Sequence, residues 1–115
     1  MTVRDLINKE VFQVINIGDD VDKVISKPFC CDLLSIAMGK APAGSAWITV
    51  MGNINTLAVS TLADIACIIL AEGAVLDVPA LNKAKVQNIT VLSTDKPIFD
   101  ASLMVYEMLH APTNL

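Results

Sequence analysis

The chain is predicted to fold as an α/β protein, a compact layered sandwich with a mainly parallel sheet flanked by helices. Two continuous apolar runs, Ala46-Trp47-Ile48-Thr49-Val50 and Cys67-Ile68-Ile69-Leu70, flank a helix-like stretch that opens after Gly52-Asn53. A third run, Ile89-Thr90-Val91-Leu92, extends the pattern. Short continuous apolar runs mark strands buried on both faces, and parallel strands joined by helices are the usual way to bury both.

The elements follow in order. Thr2-Val3-Arg4-Asp5 has the spacing of a capping box, so a short first helix runs to about Lys9. Val11 to Ile15 reads as a strand, Gly18-Asp19-Asp20 as a turn, and Val24 to Cys31 as an extended piece that Pro28 confines to an edge or a bulge. Asp32 is placed as the N-cap of a helix over Leu33 to Met38, with Gly39 as its stop. Pro42-Ala43-Gly44-Ser45 turns the chain into the Trp47 strand. The next helix opens at Gly52-Asn53-Ile54-Asn55 and carries Leu57, Ala58, Thr61, Leu62 and Ile65 along one side. After the Cys67 strand, Glu72-Gly73 breaks the chain and Pro79 suits a first helical turn. The helix from Ala80 to Val86 then ends near Gln87-Asn88. Ser93-Thr94-Asp95 is read as the cap of the final helix. There Ile98, Ala101, Val105 and Met108 line one side and Phe99, Leu103 and Tyr106 another. The last residues, 111–115, read as a frayed tail.

Length and composition bound the answer. At 115 residues the chain is sized for a single domain over 1–115. Hydrophobic residues make up 54% and charged residues 17%, with a mean hydropathy of +0.59. Typical soluble domains carry about 25% charge, so apolar surface is expected to remain outside, covered by a second copy of the chain or another protein partner. Polar residues interrupt every apolar stretch well before the ~20 residues a bilayer span needs. The N-terminus lacks the form of a secretory signal, so a cytoplasmic protein without membrane contact is expected. Net charge is −4, Arg4 is the lone arginine, and no Lys or Arg falls between Lys40 and Lys83. Nucleic-acid binding needs clustered cations, so that class is excluded.

Candidate chemistry is sparse. Cys30, Cys31 and Cys67 fit no metal-ligand spacing and are read as buried, reduced cysteines. His110 sits where it would meet the free carbonyls of the last helix. Asp19, Asp20 and Asp22 lack the calcium-loop spacing and read as a solvated turn. Neither a dinucleotide fingerprint nor a phosphate loop occurs. No catalytic residue, metal or cofactor is assigned. What remains is the carboxyl edge of the sheet, where open α/β sheets bind ligands. Gly52, Asn53, Asn55 and Gly73 stand there, and their loops are expected to converge as a ligand site.

From about Asp32 onward the order of segments resembles the DRTGG domain family. Asp32 to Met38 is similar to its helix, Ala46 to Val50 to the strand that follows, and Ile89 to Thr94 to its closing strand. The family places an Asp-Arg pair after the first strand and Thr-Gly-Gly after the next; here those places read Gly52-Asn53 and Ala71-Glu72-Gly73, of which Gly73 keeps the signature. Family members occur as regulatory inserts in phosphotransacetylases and CBS-containing pyrophosphatases and as small stand-alone proteins. Their fold is similar to the N-terminal, non-catalytic domain of bacterial HPr kinase. The resemblance implies a non-enzymatic regulatory or assembly module, homodimeric or larger, in a prokaryotic cytoplasm. The alternative is a sensor of an anionic or adenine-nucleotide ligand at the carboxyl edge, and a more distant one is a small enzyme using His110 or a cysteine.

Overall fold

Alternate residues of the apolar runs turn to opposite faces of one sheet, and this divides the core in two. The structure is a computed structural model and describes residues 1–111. Its elements are α1 (Val3–Asn8), β1 (Gln13–Asn16), β2 (Pro28–Cys30), α2 (Leu34–Lys40), β3 (Ala46–Thr49), α3 (Ile54–Leu62), β4 (Cys67–Leu70), α4 (Val78–Gln87), β5 (Val91–Ser93) and α5 (Ile98–Leu109). The five strands lie in the order β1-β5-β4-β3-β2; β1 is antiparallel to β5 and the other neighbours are parallel. This is the mainly parallel, helix-flanked α/β sandwich the apolar runs predict.

Ala46, Ile48, Cys67, Ile69 and Leu92 face one side and pack with Val3 and Leu6 of α1 and Ala101 and Val105 of α5. Trp47, Ile68, Leu70 and Val91 face the other side, against Ala37 of α2, Leu57 of α3, and Ala80 and Ala84 of α4. Every residue of β3 and β4 is buried, which is why their sequences read as unbroken apolar runs rather than as alternation.

Local signals explain several boundaries. Thr2 and Asp5 form the reciprocal capping box: Asp5 N–H donates to Thr2 Oγ1 at 3.1 Å and Thr2 N–H to Asp5 Oδ2 at 2.9 Å. Asn53 caps α3, and Pro79 falls in the first turn of α4. Asn88 closes α4 in the left-handed conformation, φ 57°. Pro28 opens β2, an edge strand.

Other expectations are corrected. Asp32 does not cap α2; the N-cap is Leu33 and makes no side-chain bond. Gly39 lies inside α2, which closes at Ala41. Ser93-Thr94-Asp95 does not cap α5, whose N-cap is Pro97. Leu62 is exposed and Ile65 lies beyond α3, whose buried residues are Thr56, Leu57, Val59 and Ser60. The edge strands are shorter or shifted: β1 starts at Gln13, β2 is confined to Pro28–Cys30, and β5 starts at Val91. In each case partners distant in sequence, rather than local pattern, fix the paired residues. The tail read as frayed, 112–115, lies outside the described residues.

Candidate functional site

Each parallel strand delivers the chain to the same edge of the sheet. Across that edge one row of registered residues runs Gln13, Ser93, Leu70, Thr49, from β1 through β5 and β4 to β3. Registered neighbours share a face, and Leu70 places this row on the side covered by α2, α3 and α4.

At the β3 end the row is closed. Thr49 Oγ1 donates to Asp32 Oδ1 at 2.6 Å, and Val50 N–H donates to the same oxygen at 3.0 Å. Asp32 therefore ties the end of β2 to the end of β3, a task that takes its carboxylate away from α2.

At the β1 end the row is open. The chain leaves β4 toward α4 on one face and leaves β5 toward α5 on the other, so two neighbouring parallel strands send their connections apart. Such a switch point leaves a crevice at the carboxyl edge. Here it is a cleft of about 480 Å³, with Ile15, Leu76 and Leu81 on its apolar side and Gln13, Ser93 and Asp95 on its polar side. Its rim is one hydrogen-bonded unit. Glu72 N–H donates to Lys96 O at 2.8 Å, Gly73 N–H to Thr94 O at 3.0 Å, and Thr94 N–H to Leu70 O at 2.8 Å. Glu72 and Gly73 both adopt positive φ, 60° and 71°, which produces the sharp reversal after β4.

Helix N-termini at this edge could attract an anion; the chain's own side-chain oxygens take N–H groups at α3, α4 and α5, while α2, which also starts here, has no side-chain cap. Asn53 Oδ1 accepts from the N–H groups of Asn55 and Thr56 at 3.0 and 3.2 Å. Asp77 Oδ1 accepts from Ala80 at 2.9 Å, and Glu72 Oε2 from Ile98 at 3.1 Å. No Lys or Arg lines the cleft.

Of the four residues singled out in the sequence, the structure places Gly73 on the cleft and leaves Gly52, Asn53 and Asn55 off its lining. Gly52 instead packs against the β4–α4 connection. Its carbonyl accepts from Asp77 N–H at 3.0 Å, and a Cβ there would stand 2.2 Å from the carbonyl oxygen of Val75. Asn53 holds the first turn of α3, and Asn55 is exposed beside it. Sequence reasoning missed Gln13, Ser93 and Asp95. The pair Ser93 and Asp95 was taken up by a helix-cap reading, and Gln13 reaches the site only through the antiparallel pairing of β1 with β5.

The other groups singled out in the sequence lie off the cleft lining. His110 Nδ1 lies 2.8 Å from Tyr106 O, and its ring stacks on Tyr106 with centroids 4.1 Å apart. Asp22 pairs with Arg4 at 3.0 Å. The guanidinium holds the Asp22 carboxyl below its ordinary range, first by hydrogen bonding and then by charge. Among the cysteines only Cys67 is buried, and burial pushes its thiol up to about 12; Cys31 is half-buried and Cys30 exposed, which corrects the reading of three buried cysteines. Among the described residues no three His, Cys, Asp or Glu side chains group as metal ligands, and no helix is long and apolar enough to cross a membrane.

No protein-family model matches the sequence, and no curated protein matches it either. Among solved structures the fold is similar to the CBS and DRTGG domains of the regulatory region of a Clostridium perfringens pyrophosphatase, complexed with the activator diadenosine tetraphosphate. The TM-score is 0.72 at 17% identity, over 91% of this chain and 46% of that one. This chain thus spans about half the length of that regulatory structure, and at this identity the likeness is one of fold.

Proposed function

We propose that the chain is a non-catalytic regulatory module of the DRTGG type, one domain over 1–115, that acts as a homo-oligomer in a prokaryotic cytoplasm. The observation that carries this reading is the outer stripe of α5. Ala101 and Val105 are fully buried against the sheet, while Phe99, Leu103 and Tyr106 of the same helix are 71%, 41% and 51% exposed. Three large apolar side chains at helical spacing on a chain so poor in charge make a surface suited to a partner. The likeness to a pyrophosphatase regulatory region supports the same reading. Light scattering at micromolar concentration should give a dimer or larger assembly, and a monodisperse monomer would overturn it.

A second reading is a small-molecule sensor at the carboxyl edge, favoured by the switch-point cleft and by the nucleotide activator bound to the structural neighbour. Native mass spectrometry of freshly purified protein tests it through retained ligand mass. Calorimetry with a nucleotide and metabolite panel, comparing wild type with Asn53→Ala and Gly73→Val, then tests whether the Gly52 and Gly73 loops take part.

A further inference from the structure

The cleft at the switch point has a charge character that narrows what it can take. Its volume, about 480 Å³, lies within the ~300–1,000 Å³ of small-molecule sites. Its walls combine aliphatic side chains with a short polar row. Gln13 and Ser93 are direct partners across β1 and β5, and Asp95 follows two residues later at the rim. Gln13 and Asp95 are exposed and Ser93 half-buried, and none of the three side chains makes a hydrogen bond to another described residue, so all are free to meet a ligand, whereas nearby Glu72 and Asp77 are both committed to helix N–H groups. Asp95 is thus the one carboxylate lining the cleft; it is exposed and forms no ion pair with another described residue, and Lys96, next along the chain, is not part of the lining.

These features decide between ligand charges. A phosphate or carboxylate entering the cleft would meet Asp95 at close range, find no Lys or Arg in the lining, and compete with the Asp77 and Glu72 carboxylates already held at the neighbouring helix N-termini. A cation would instead gain a charge-assisted hydrogen bond to Asp95. Resting on the cleft of the sensor reading above, but departing from the anionic class that the neighbour's nucleotide activator suggests, we infer that the cleft binds a small organic cation, an amine carried on an apolar body. The apolar body packs on Ile15, Leu76 and Leu81, the ammonium donates to Asp95, and Ser93 and Gln13 accept the remaining N–H donors.

Three probes with one apolar body separate charge from shape: 2-phenylethylamine, 2-phenylethanol and 3-phenylpropanoate, each titrated against the full chain and followed by backbone amide NMR shifts. The amine should give saturable shifts at Gly73, Ser93 and Asp95, with the alcohol weaker and the acid weakest. Asp95→Asn, checked for an unchanged fold by its amide spectrum, should weaken the amine about tenfold, as loss of a charged hydrogen bond implies, and leave the alcohol unaffected. If the acid binds these residues as tightly as the amine, or Asp95→Asn leaves amine affinity unchanged, the charge assignment is overturned while the cleft stands as a ligand site. Absence of saturable shifts at the cleft with all three probes overturns the cleft as the site, and the nucleotide and metabolite panel then decides the sensor reading by itself.

Discussion

Glu72, in the loop after β4, accepts a hydrogen bond at 3.1 Å from the backbone N–H of Ile98, 26 residues along the chain, and so caps α5 from a neighbouring loop. The helix has no side-chain cap of its own, because Pro97 occupies that position. Glu72→Ala should therefore cost about 1 kcal/mol in urea denaturation, the usual effect of losing an N-cap. Glu72 also sits at φ 60°, where glycine is relieved of roughly 1 kcal/mol of left-handed strain. Glu72→Gly should accordingly be more stable than Glu72→Ala, and a Glu72→Ala variant as stable as the wild type would refute the cap.

Thr56 is fully buried in the first turn of α3, and its hydroxyl has no hydrogen-bond partner. An unpaired buried hydroxyl costs free energy that a methyl of similar shape does not. Thr56→Val should raise stability by about 1 kcal/mol, visible as a higher urea midpoint with unchanged slope. A lower midpoint would mean that the hydroxyl finds a partner in solution.

The cysteines should separate by reactivity. Cys67 is fully buried with its thiol pushed up to about 12, so it has almost no thiolate at pH 8 and no route to reagent. Cys30 is exposed, with its sulfur 2.7 Å from Ser102 Oγ. Iodoacetamide followed by peptide mass mapping should modify Cys30 in the native protein and Cys67 only in denaturant. Modification of Cys67 at the native rate of Cys30 would contradict the packing.

The Arg4–Asp22 pair has a definite pH signature. Asp22's carboxyl lies below its ordinary value of 3.8, so the pair stabilises the fold above that value and loses its contribution as pH falls through the lower folded-state value. Both groups are exposed and the effect on stability is screened. The sensitive readout is therefore the NMR titration of Asp22, which Arg4→Ala should return upward toward 3.8. An unmoved titration would remove Arg4 as the cause.

Tyr106 tests the proposed assembly surface. It is 51% exposed on the outer stripe of α5, so Tyr106→Glu should leave the isolated fold intact. If a second copy covers it, an unpaired carboxylate in that interface costs about 3 kcal/mol or more. Sedimentation should then show dissociation with an unchanged circular dichroism spectrum. An assembly unaffected by the substitution would place the interface elsewhere.

Much of this architecture was legible in the sequence because the relevant forces are local. Strands with both faces buried must be apolar throughout, which exposed Cys67–Leu70 with its observed bounds and the Trp47 strand to within one residue. Caps act over three residues, so Thr2 with Asp5 could be read directly, and the start of α3 could be narrowed to residues 52–55, within which the structure selects Asn53 as the cap. Pro28 announced an edge or a bulge because a residue without an N–H leaves a ladder hydrogen bond unmade, and β2 is indeed an edge strand.

What only the tertiary structure decided involves partners far apart in sequence. Asp32 has the composition of a helix cap, but Thr49 and Val50 claim its carboxylate, and Glu72 caps a helix it does not belong to. The cleft itself depends on which face each helix takes after leaving the sheet and on the antiparallel approach of β1, which sets Gln13 opposite Ser93. Residue pattern gives each strand and helix an apolar side but does not say which neighbour will cover it, because burial is non-directional. The sequence therefore determined the layers, and long-range hydrogen bonds and helix placement decided where the surface opens.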